Sequence, residues 1–326
     1  MKKLTTKEAI NLLAVGEIIA IPTETVYGLA ADARKSRAVK KIFKAKGRPT
    51  DNPLIVHIGH IEQAEKLAKN ISDEARLLMK HFWPGPLTLI LEDNGKVSKW
   101  VTAGLDTIGI RMPNHERTLQ LLRKSEIPLA APSANLSGKP SPTCFEHVER
   151  DLVGKIPGGV NGGVCEVGLE STIIDMTVVP PVILRPGGIK RHEIEAIIGK
   201  VALADGSIET NESSEKLKPK APGMKYAHYA PNAEVFIVNG DIAYFKSLIN
   251  NYRKLGKKVG VVCRKSNQYF YKRAHLVKSV SVDGKQLYKV FRQFDDTEID
   301  IILCEMFEDE AVMNRLMKAS EEKVLS

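Results

Sequence analysis

The sequence predicts an α/β protein with two domains, a first domain with a large, twisted mixed sheet and a second, smaller Rossmann-like domain. Three observations lead to this prediction. The chain has 326 residues, which is long enough for two domains. Extended and helical segments alternate over 1–202, and this periodicity stops over 203–232. A regular strand and helix alternation then begins at 233. We therefore expect domains at 1–202 and 233–326, with 203–232 as a linker.

The first domain begins with a helical pattern, TKEAINLLAVG (6–16), which ends at Gly16. Short apolar runs of the kind that form strands follow, and helical patterns such as SDEARLLMKHF separate several of them. These runs lie at 17–22, 53–58, 86–92, 108–113, 128–132, 171–176 and 181–186. Seven strands with interleaved helices predict one α/β domain with a mixed sheet.

The second domain shows the alternation that is typical of a parallel sheet. Strands are predicted at 233–240, 257–264, 274–280 and 300–307, and helices at 241–256, 286–296 and 309–322. No GxGxxG loop is present, so this pattern alone does not indicate a dinucleotide site.

The net charge of +9 is mild and divided between +5 over 1–206 and +4 over the remainder. It is concentrated in 33–50, which holds eight Lys and Arg residues and no acid. Such a stretch attracts phosphates of a nucleotide or of RNA, although most charge runs are simply solvated helix faces.

Other features point to an intracellular setting. The four cysteines are far apart in sequence, which predicts reduced thiols and neither a disulfide framework nor a structural zinc site. No apolar run is long enough to span a membrane, and the first residues do not form a signal peptide. We expect a cytoplasmic protein.

Polar residues follow the strand at 17–22 in the stretch IPTETVYGLA. Thr23, Glu24 and Thr25 come directly after an apolar run, where buried polar groups cost free energy unless they are hydrogen-bonded. Taken alone, this stretch fits a solvent-facing strand end as well as it fits a binding site. Similar residues mark other strand ends and loops: Lys46, Arg48, Asn52, His57, Thr107, Arg111, Ser133, Asn135, Ser137, Ser141, Thr143, Ser171, Thr172 and Arg185.

These residues are hydroxyls, cations, amides and one imidazole. The chain has no Cys–His pair, no GxSxG elbow, no Walker loop and no HExxH motif. In HIGH (57–60), a strand would direct the two histidines to opposite faces, so we expect no metal ligands there. The pattern predicts a site that binds anions by position and charge, without a protein nucleophile.

The ordered motifs PTETVYGLA, KGRPTDNPL, FWPGPLTL, IRMP, PSANLSGKPSPT, STIID and LRPG resemble the threonylcarbamoyl-AMP synthase family and its YrdC-type domain. APGMKYAHYAP, followed by a small α/β domain, resembles its two-domain members. The resemblance covers nearly the whole chain and implies a YrdC-like first domain.

The resemblance implies an L-threonylcarbamoyladenylate synthase, a nucleotidyltransferase that joins L-threonine, bicarbonate and ATP. Its product serves the threonylcarbamoyladenosine modification of tRNA. Trp83 and Pro84 are interpreted as structural packing. Threonine would be bound by Thr25, His57, Arg111, the Ala131 backbone and Ser171. ATP would be bound by Lys46, Arg48, Asn52, Thr107, Ser133, Ser141, Arg185 and His228, with Lys46 and Arg48 in catalytic roles.

The resemblance also implies Mg²⁺, held mostly by ATP phosphates. We expect a monomer that hands its product to a downstream tRNA-modifying transferase, with weak RNA binding and no membrane association. Our hypothesis is that the linker forms a lid over the nucleotide with Met224, Tyr226, His228 and Tyr229. The alternative is that these residues dock the two domains.

Two other functions remain as alternatives. One is a non-catalytic RNA-binding protein that uses the basic residues 34–48, although Phe43 is the only aromatic residue among them. The other is the YrdC-type module of carbamoyl transfer in hydrogenase maturation. Those chains also carry acylphosphatase and CxxC zinc segments, which this sequence lacks.

Overall fold

The structure is a computed structural model that describes residues 1–204 and 229–326. They form two compact units. The first contains Met1–Ser137 and, of the described residues, 142–204, and the second contains Gly138–Ser141 and 229–326. Within these ranges, none of the helices has the length and hydrophobicity that crossing a bilayer requires.

The first unit is built on one mixed sheet of twelve strands within the described residues. Its strands are β1 (Lys2–Lys3), β2 (Ile19–Ile21), β3 (Gly28–Asp32), β4 (Ile55–His57), β5 (Ala68–Lys69), β6 (Leu87–Asp93), β7 (Thr107–Arg111), β8 (Leu129–Ala130), β9 (Gly158–Gly159), β10 (Thr172–Asp175), β11 (Val182–Arg185) and β12 (Ala202–Leu203). Its helices are α1 (Thr6–Ala14), α2 (Ser36–Lys46), α3 (Glu62–Leu67), α4 (Asp73–Phe82), α5 (Lys99–Thr102), α6 (Glu116–Ser125), α7 (Phe145–Leu152) and α8 (Arg191–Ile198). The strand order is β1-β9-β2-β3-β8-β4-β7-β6-β10-β11-β12, with β5 beside β6.

Each of the seven runs predicted as strands contains one, and the mixed sheet is confirmed. Strands β1, β3, β5, β9 and β12 were not predicted. Strand β12 pairs with β11 and ends at Leu203, so regular structure continues one residue into the predicted linker.

Helix α2 explains most of the basic stretch. It buries Val39, Ile42 and Phe43 and exposes Lys40 and Lys44, so its charges mostly form a solvated face. Its last residue differs from the others in this respect. Lys46 is buried, at 3% exposure, and its side chain points into the protein.

Strand register brings together residues that are distant in sequence. Strands β4 and β7 are parallel and pair His57 with Arg111. Strand β10 pairs in parallel with β6 and antiparallel with β11, which places the segment after Ser171 between them. These strand ends position two clusters of polar side chains.

The second unit is built on a five-stranded parallel sheet in the order β15-β14-β16-β13-β17. Its strands are β13 (Glu234–Val238), β14 (Val259–Arg264), β15 (Leu276–Val280), β16 (Ile301–Glu305) and β17 (Val324–Leu325). Its helices are α9 (Ile242–Lys254), the 3₁₀ helix Lys265–Tyr271, α10 (Leu287–Asp295) and α11 (Glu310–Ala319). The predicted Rossmann-like alternation is confirmed, with the 3₁₀ helix and β17 as unpredicted additions.

Candidate functional site

The polar residues after β2 are buried. Thr23, Glu24 and Thr25 are exposed by 2%, 4% and 0%. Thr23 Oγ1 donates to the Val26 carbonyl at 2.6 Å and lies 2.8 Å from Thr25 Oγ1. Neighbouring groups therefore compensate the burial of the two hydroxyls. The solvent-facing alternative for this strand end is excluded.

Arg111, at the end of β7, reaches three groups of this region. Its Nη1 donates to Thr25 Oγ1 at 2.9 Å, and its Nε donates to the Gly85 carbonyl at 3.2 Å. Its Nη2 lies 2.7 Å from Glu24 Oε2 in a buried ion pair. That contact is not aligned as a hydrogen bond, and both Glu24 carboxylate oxygens lack a hydrogen-bond partner among the described residues. A ligand donor could therefore still bind Glu24.

His57, at the end of β4, is buried beside Arg111. Burial and the nearby positive charge of Arg111 lower the pKa of the imidazole to about 3. The ring is neutral near pH 7. Its Nδ1 lies 3.2 Å from the Ile55 carbonyl. In the tautomer that donates to this carbonyl the proton is on Nδ1, and Nε2 is a hydrogen-bond acceptor.

The FWPGP loop connects the Arg111 cluster to β10. The Gly85 carbonyl accepts from Arg111, and the Pro86 carbonyl accepts from the Thr172 amide at 3.0 Å. Trp83 is buried and its Nε1 donates to the Leu87 carbonyl at 2.7 Å, which agrees with a packing role. Pro84, in contrast, is exposed, so its interpretation as a packing residue is wrong.

A second cluster surrounds Ser171. Its Oγ lies 2.7 Å from Thr88 Oγ1, and its carbonyl accepts from Arg185 Nη2 at 2.9 Å. All three side chains are buried. A Cβ added at Gly187 would lie 2.3 Å from the Thr172 amide nitrogen, so the turn after β11 packs directly on this backbone.

Lys46 holds the loop that follows β8. Its ammonium donates to the carbonyls of Ser133 and Asn135, and the Lys46 carbonyl accepts from the Ser137 amide at 2.9 Å. The amide of Ala131 donates to the Ile55 carbonyl at 2.9 Å. Of the Ala131 backbone, only the carbonyl could therefore bind a ligand.

Arg48 and Asn52 lie in the loop between α2 and β4. Arg48 Nη2 donates to the Pro53 carbonyl at 3.1 Å. Asn52 is 2% exposed, and neither atom of its amide has a hydrogen-bond partner within the described ranges. Buried amides are nearly always bonded, so Asn52 is a strong candidate for ligand contact.

The remaining predicted ATP residues are Thr107, Ser141 and His228. Thr107 begins β7, roughly 13 Å along the strand from Arg111 at its other end. Ser141 is buried, in the segment Gly138–Ser141 of the second unit. His228 lies outside the described residues, as do Met224 and Tyr226 of the lid hypothesis. Their roles stay predictions.

Tyr229, the last residue of the lid hypothesis, is described and lies in the second unit. It is buried, and its ring centroid lies 5.2 Å from that of Tyr288. The Arg315 guanidinium lies 5.9 Å from the same ring. Tyr229 thus packs within its own unit.

Three residues of the site were missed from sequence. Glu24 was visible as a carboxylate between two threonines after a buried strand, but it was not assigned a role. Thr88 and Gly85 carry no local signal, because their contacts to Ser171 and Arg111 join distant parts of the chain.

No group of three or more His, Cys, Asp or Glu side chains in the described ranges could hold a metal ion. The donors at the site are hydroxyls, cations and amides. Such a set suits a divalent metal that arrives with the phosphates of a nucleotide, rather than one bound in a carboxylate cage.

Comparisons with known proteins agree with these features. Residues 11–187 match the Sua5/YciO/YrdC family model, described as telomere recombination. Residues 189–321 match the C-terminal domain of threonylcarbamoyl-AMP synthase. The threonylcarbamoyl-AMP synthase of Pyrococcus abyssi is 48% identical over 97% of this chain and 94% of its own. This chain belongs to the threonylcarbamoyl-AMP synthase family.

Two further comparisons support membership in this family. The threonylcarbamoyl-AMP synthase of Bacillus subtilis is 48% identical over 98% of this chain and 93% of its own length. The crystal structure of P. abyssi Sua5 complexed with L-threonine superposes with a TM-score of 0.90 at 45% identity. It covers 99% of this chain and 97% of that one. The resemblance seen in the motifs and the YrdC-like fold class are therefore confirmed.

Proposed function

We propose that this chain is an L-threonylcarbamoyladenylate synthase, which forms threonylcarbamoyl-AMP and pyrophosphate from L-threonine, bicarbonate and ATP. The observation that carries the proposal is the buried cluster of Arg111, Glu24, Thr25 and neutral His57. This cluster supplies one cation, one anion and neutral hydrogen-bonding groups at one place. A zwitterion with a hydroxyl side chain, such as threonine, is complementary to that set.

Each part of threonine has a suitable partner. Arg111 can bind the carboxylate by its planar fork. The Glu24 oxygens and the Ala131 carbonyl accept hydrogen bonds from the ammonium group. We assign the threonine hydroxyl to His57 Nε2 and Thr25 Oγ1, and we keep Ser171 as a further polar group of the site from the family motif. A pocket built to bond a hydroxyl discriminates strongly against an analogue that lacks it.

The nucleotide would lie against Lys46, Arg48 and Asn52. The unsatisfied Asn52 amide supports a direct contact, and the two cations favour binding of phosphates. Ser133 follows on the loop that Lys46 holds. Arg185, Ser141, Thr107 and His228 complete the proposed set, and they rest on the family motif alone.

The reaction needs no protein nucleophile. The threonine ammonium first releases a proton to water. The free amine then attacks the carbon of bicarbonate, and loss of water leaves a carbamate. A carbamate oxygen then attacks the α-phosphorus of ATP, and the bond from that phosphorus to pyrophosphate breaks. Lys46 and Arg48 would neutralise the charge that develops on the phosphates, and Mg²⁺ would enter with ATP as part of the substrate. This chemistry makes the enzyme a nucleotidyltransferase.

The direct test follows pyrophosphate release by the full chain with ATP and Mg²⁺. Release should require both L-threonine and bicarbonate, and L-valine should replace threonine poorly because it lacks the hydroxyl. Equal release without threonine would refute the synthase. Equal release with valine would refute the assignment of His57 and Thr25 to the hydroxyl. Delivery of the product to a tRNA-modifying transferase and a monomeric state stay predictions.

A further inference from the structure

We propose that the second unit carries a binding surface for single-stranded RNA, formed by the exposed aromatic rings of Tyr269 and Phe270 and the cations around them. We call it the aromatic–basic patch and define it as Lys246, Tyr269, Phe270, Lys272 and Arg273. None of its residues is among those assigned to threonine and ATP, and the proposal does not rest on the synthase activity.

The first observation is the charge of the surrounding sequence. Residues 242–282 contain ten Lys and Arg residues and no Asp or Glu. Lys258 pairs with Glu298, and Arg264 pairs with Glu305. No ion pair is seen for Lys246, Lys272 or Arg273 within the described ranges. A surface of this kind attracts a polyanion and repels a second copy of itself.

The second observation is the exposure of two aromatic rings in this basic region. Tyr269 is 71% exposed and Phe270 is 40% exposed. Lys272 Nζ lies 3.8 Å from the Tyr269 centroid, and Lys246 Nζ lies 5.3 Å from the Phe270 centroid. Tyr269 also meets Phe270 in an edge contact, with ring centroids 6.2 Å apart. At 71% exposure, most of the Tyr269 side chain nevertheless remains accessible to a stacking base.

The third observation is that these rings sit on a fixed support. The next residue, Tyr271, is 1% exposed, and its ring centroid lies 4.4 Å from that of Phe245. Its hydroxyl donates to Glu305 Oε1 at 2.6 Å. The 3₁₀ helix Lys265–Tyr271 is therefore held to the core by its last residue. Tyr269 and Phe270 remain outside because of that arrangement.

The patch also borders a groove of suitable size. A cavity of about 400 Å³ is lined by the patch residues together with Ile249, Asn250 and Tyr271. This volume is within the range of pockets that accept small ligands. Cations for phosphates, rings for bases and a groove between them are the features of single-strand binding. The basic helix α2 lacks this combination, because its one aromatic residue, Phe43, is buried.

The test measures fluorescence anisotropy of a labelled single-stranded RNA of about 12 nucleotides with the full chain. The double variant Tyr269→Ala, Phe270→Ala should weaken binding about tenfold, because base stacking is lost. The swap Tyr269→Phe, Phe270→Tyr keeps both rings and should bind like the wild type. Unchanged affinity in the double alanine variant would overturn the proposal, and the swap guards against a loss caused by misfolding.

The cations are tested by salt dependence. The triple variant Lys246→Ala, Lys272→Ala, Arg273→Ala should reduce the slope of log affinity against log salt by about two, since each phosphate contact contributes about 0.7. The matched control Lys44→Ala, Lys66→Ala, Lys80→Ala removes three exposed cations from the first unit. If the control variant reduced the salt slope equally, the RNA would be attracted non-specifically to any exposed cation, and the proposal would be overturned.

Two further measurements distinguish RNA from an anionic membrane surface and separate this patch from the synthase site. Phosphatidylserine vesicles should bind the chain less tightly than the RNA does, and they should be insensitive to loss of the rings. Vesicle binding that shows the same dependence on Tyr269 and Phe270 would overturn the assignment to RNA. Pyrophosphate release should be unchanged in every patch variant, so failure of this proposal leaves the synthase assignment intact.

Discussion

At the scale of single residues, the ion pair of the candidate site differs from an ion pair at the protein surface because it is buried. Arg76 and Glu65 also form an ion pair, but both side chains are about half exposed and such pairs contribute little. Arg111 and Glu24 are desolvated, and burial of two charges is costly unless ligands or neighbours compensate them. Arg111 compensates the charge at Glu24 Oε2, whereas Glu24 Oε1 has no hydrogen-bond partner among the described residues and is better explained by ligand binding than by stability.

Arg111 and Lys46 should affect different substrates. Arg111→Lys keeps a positive charge beside Glu24 but cannot bind Thr25, Gly85 and a ligand carboxylate at once. Threonine affinity should fall about 10- to 100-fold, the cost of one or two charge-assisted hydrogen bonds. Lys46→Met should instead weaken ATP binding or slow pyrophosphate release, with threonine affinity nearly unchanged. Calorimetry with each substrate checks both. The control Arg76→Lys, at an exposed ion pair, should change neither affinity. A loss of ATP affinity in Arg111→Lys together with a loss of threonine affinity in Lys46→Met would refute the two roles.

His57 should make stability depend on pH. Its pKa in the folded protein is about 3, below the usual value of 6.5. Between these values the unfolded chain binds more protons, so the free energy of unfolding falls as the pH is lowered through this window. His57→Gln should reduce the loss of stability between about pH 7 and about pH 5, measured by urea denaturation. Exposed His81 provides the control His81→Gln, and an unchanged pH profile in His57→Gln would contradict the prediction.

At the scale of elements, the sequence predicted those strands whose apolar side chains form continuous runs. Strand β6 (LTLILED) and strand β14 (VGVVCR) are of this kind. Strand β3 (GLAAD) was missed because Gly and Ala have low β-propensity. Its fully buried position comes from pairing with β2 and β8, which no local pattern encodes. The hydroxyl and cationic residues at strand ends could be identified from the sequence, whereas their hydrogen-bond partners, such as Thr88, could not.

The FWPGP loop gives a test at this scale. A Cβ at Gly85 would lie 2.2 Å from the Phe82 carbonyl oxygen, so Gly85→Ala must displace the loop. The Gly85 carbonyl would then move away from Arg111 Nε. We expect a loss of roughly 1–3 kcal/mol in the free energy of unfolding and a weaker affinity for threonine.

A second glycine separates these two effects. Gly95 has φ +77° and open space around it, so Gly95→Ala strains the backbone far from Arg111. It should lower stability, with threonine affinity unchanged. Chemical denaturation and calorimetry on both variants make the comparison. Equal threonine affinity in Gly85→Ala and the wild type would show that the loop does not position Arg111.

At the scale of the whole molecule, each unit has its own sheet and its own core. In the second unit, Phe245, Val261 and Leu303 belong to one buried cluster, and Tyr288 and Phe291 are fully buried as well. The residues that we assign to binding of the substrate threonine all belong to the first unit. The strand and helix alternation of the second unit could be predicted from sequence because the periodicity that begins at 233 is long and regular. The placement of Gly138–Ser141 in the second unit could not, since it depends on tertiary contacts.

Residues 229–326, which form the described part of the second unit without Gly138–Ser141, should therefore fold as an independent fragment. We expect residues 229–326 to unfold in one cooperative transition, because domains with their own core of this kind fold alone. Phe291→Ala should lower the free energy of unfolding of the fragment by about 3–5 kcal/mol, since it leaves a cavity in that core. Exposed Phe270 provides the control, and Phe270→Ala should change stability by less than about 1 kcal/mol. Circular dichroism in urea measures both. A fragment without a cooperative transition, or one equally destabilised by the two substitutions, would show that its core depends on the rest of the chain.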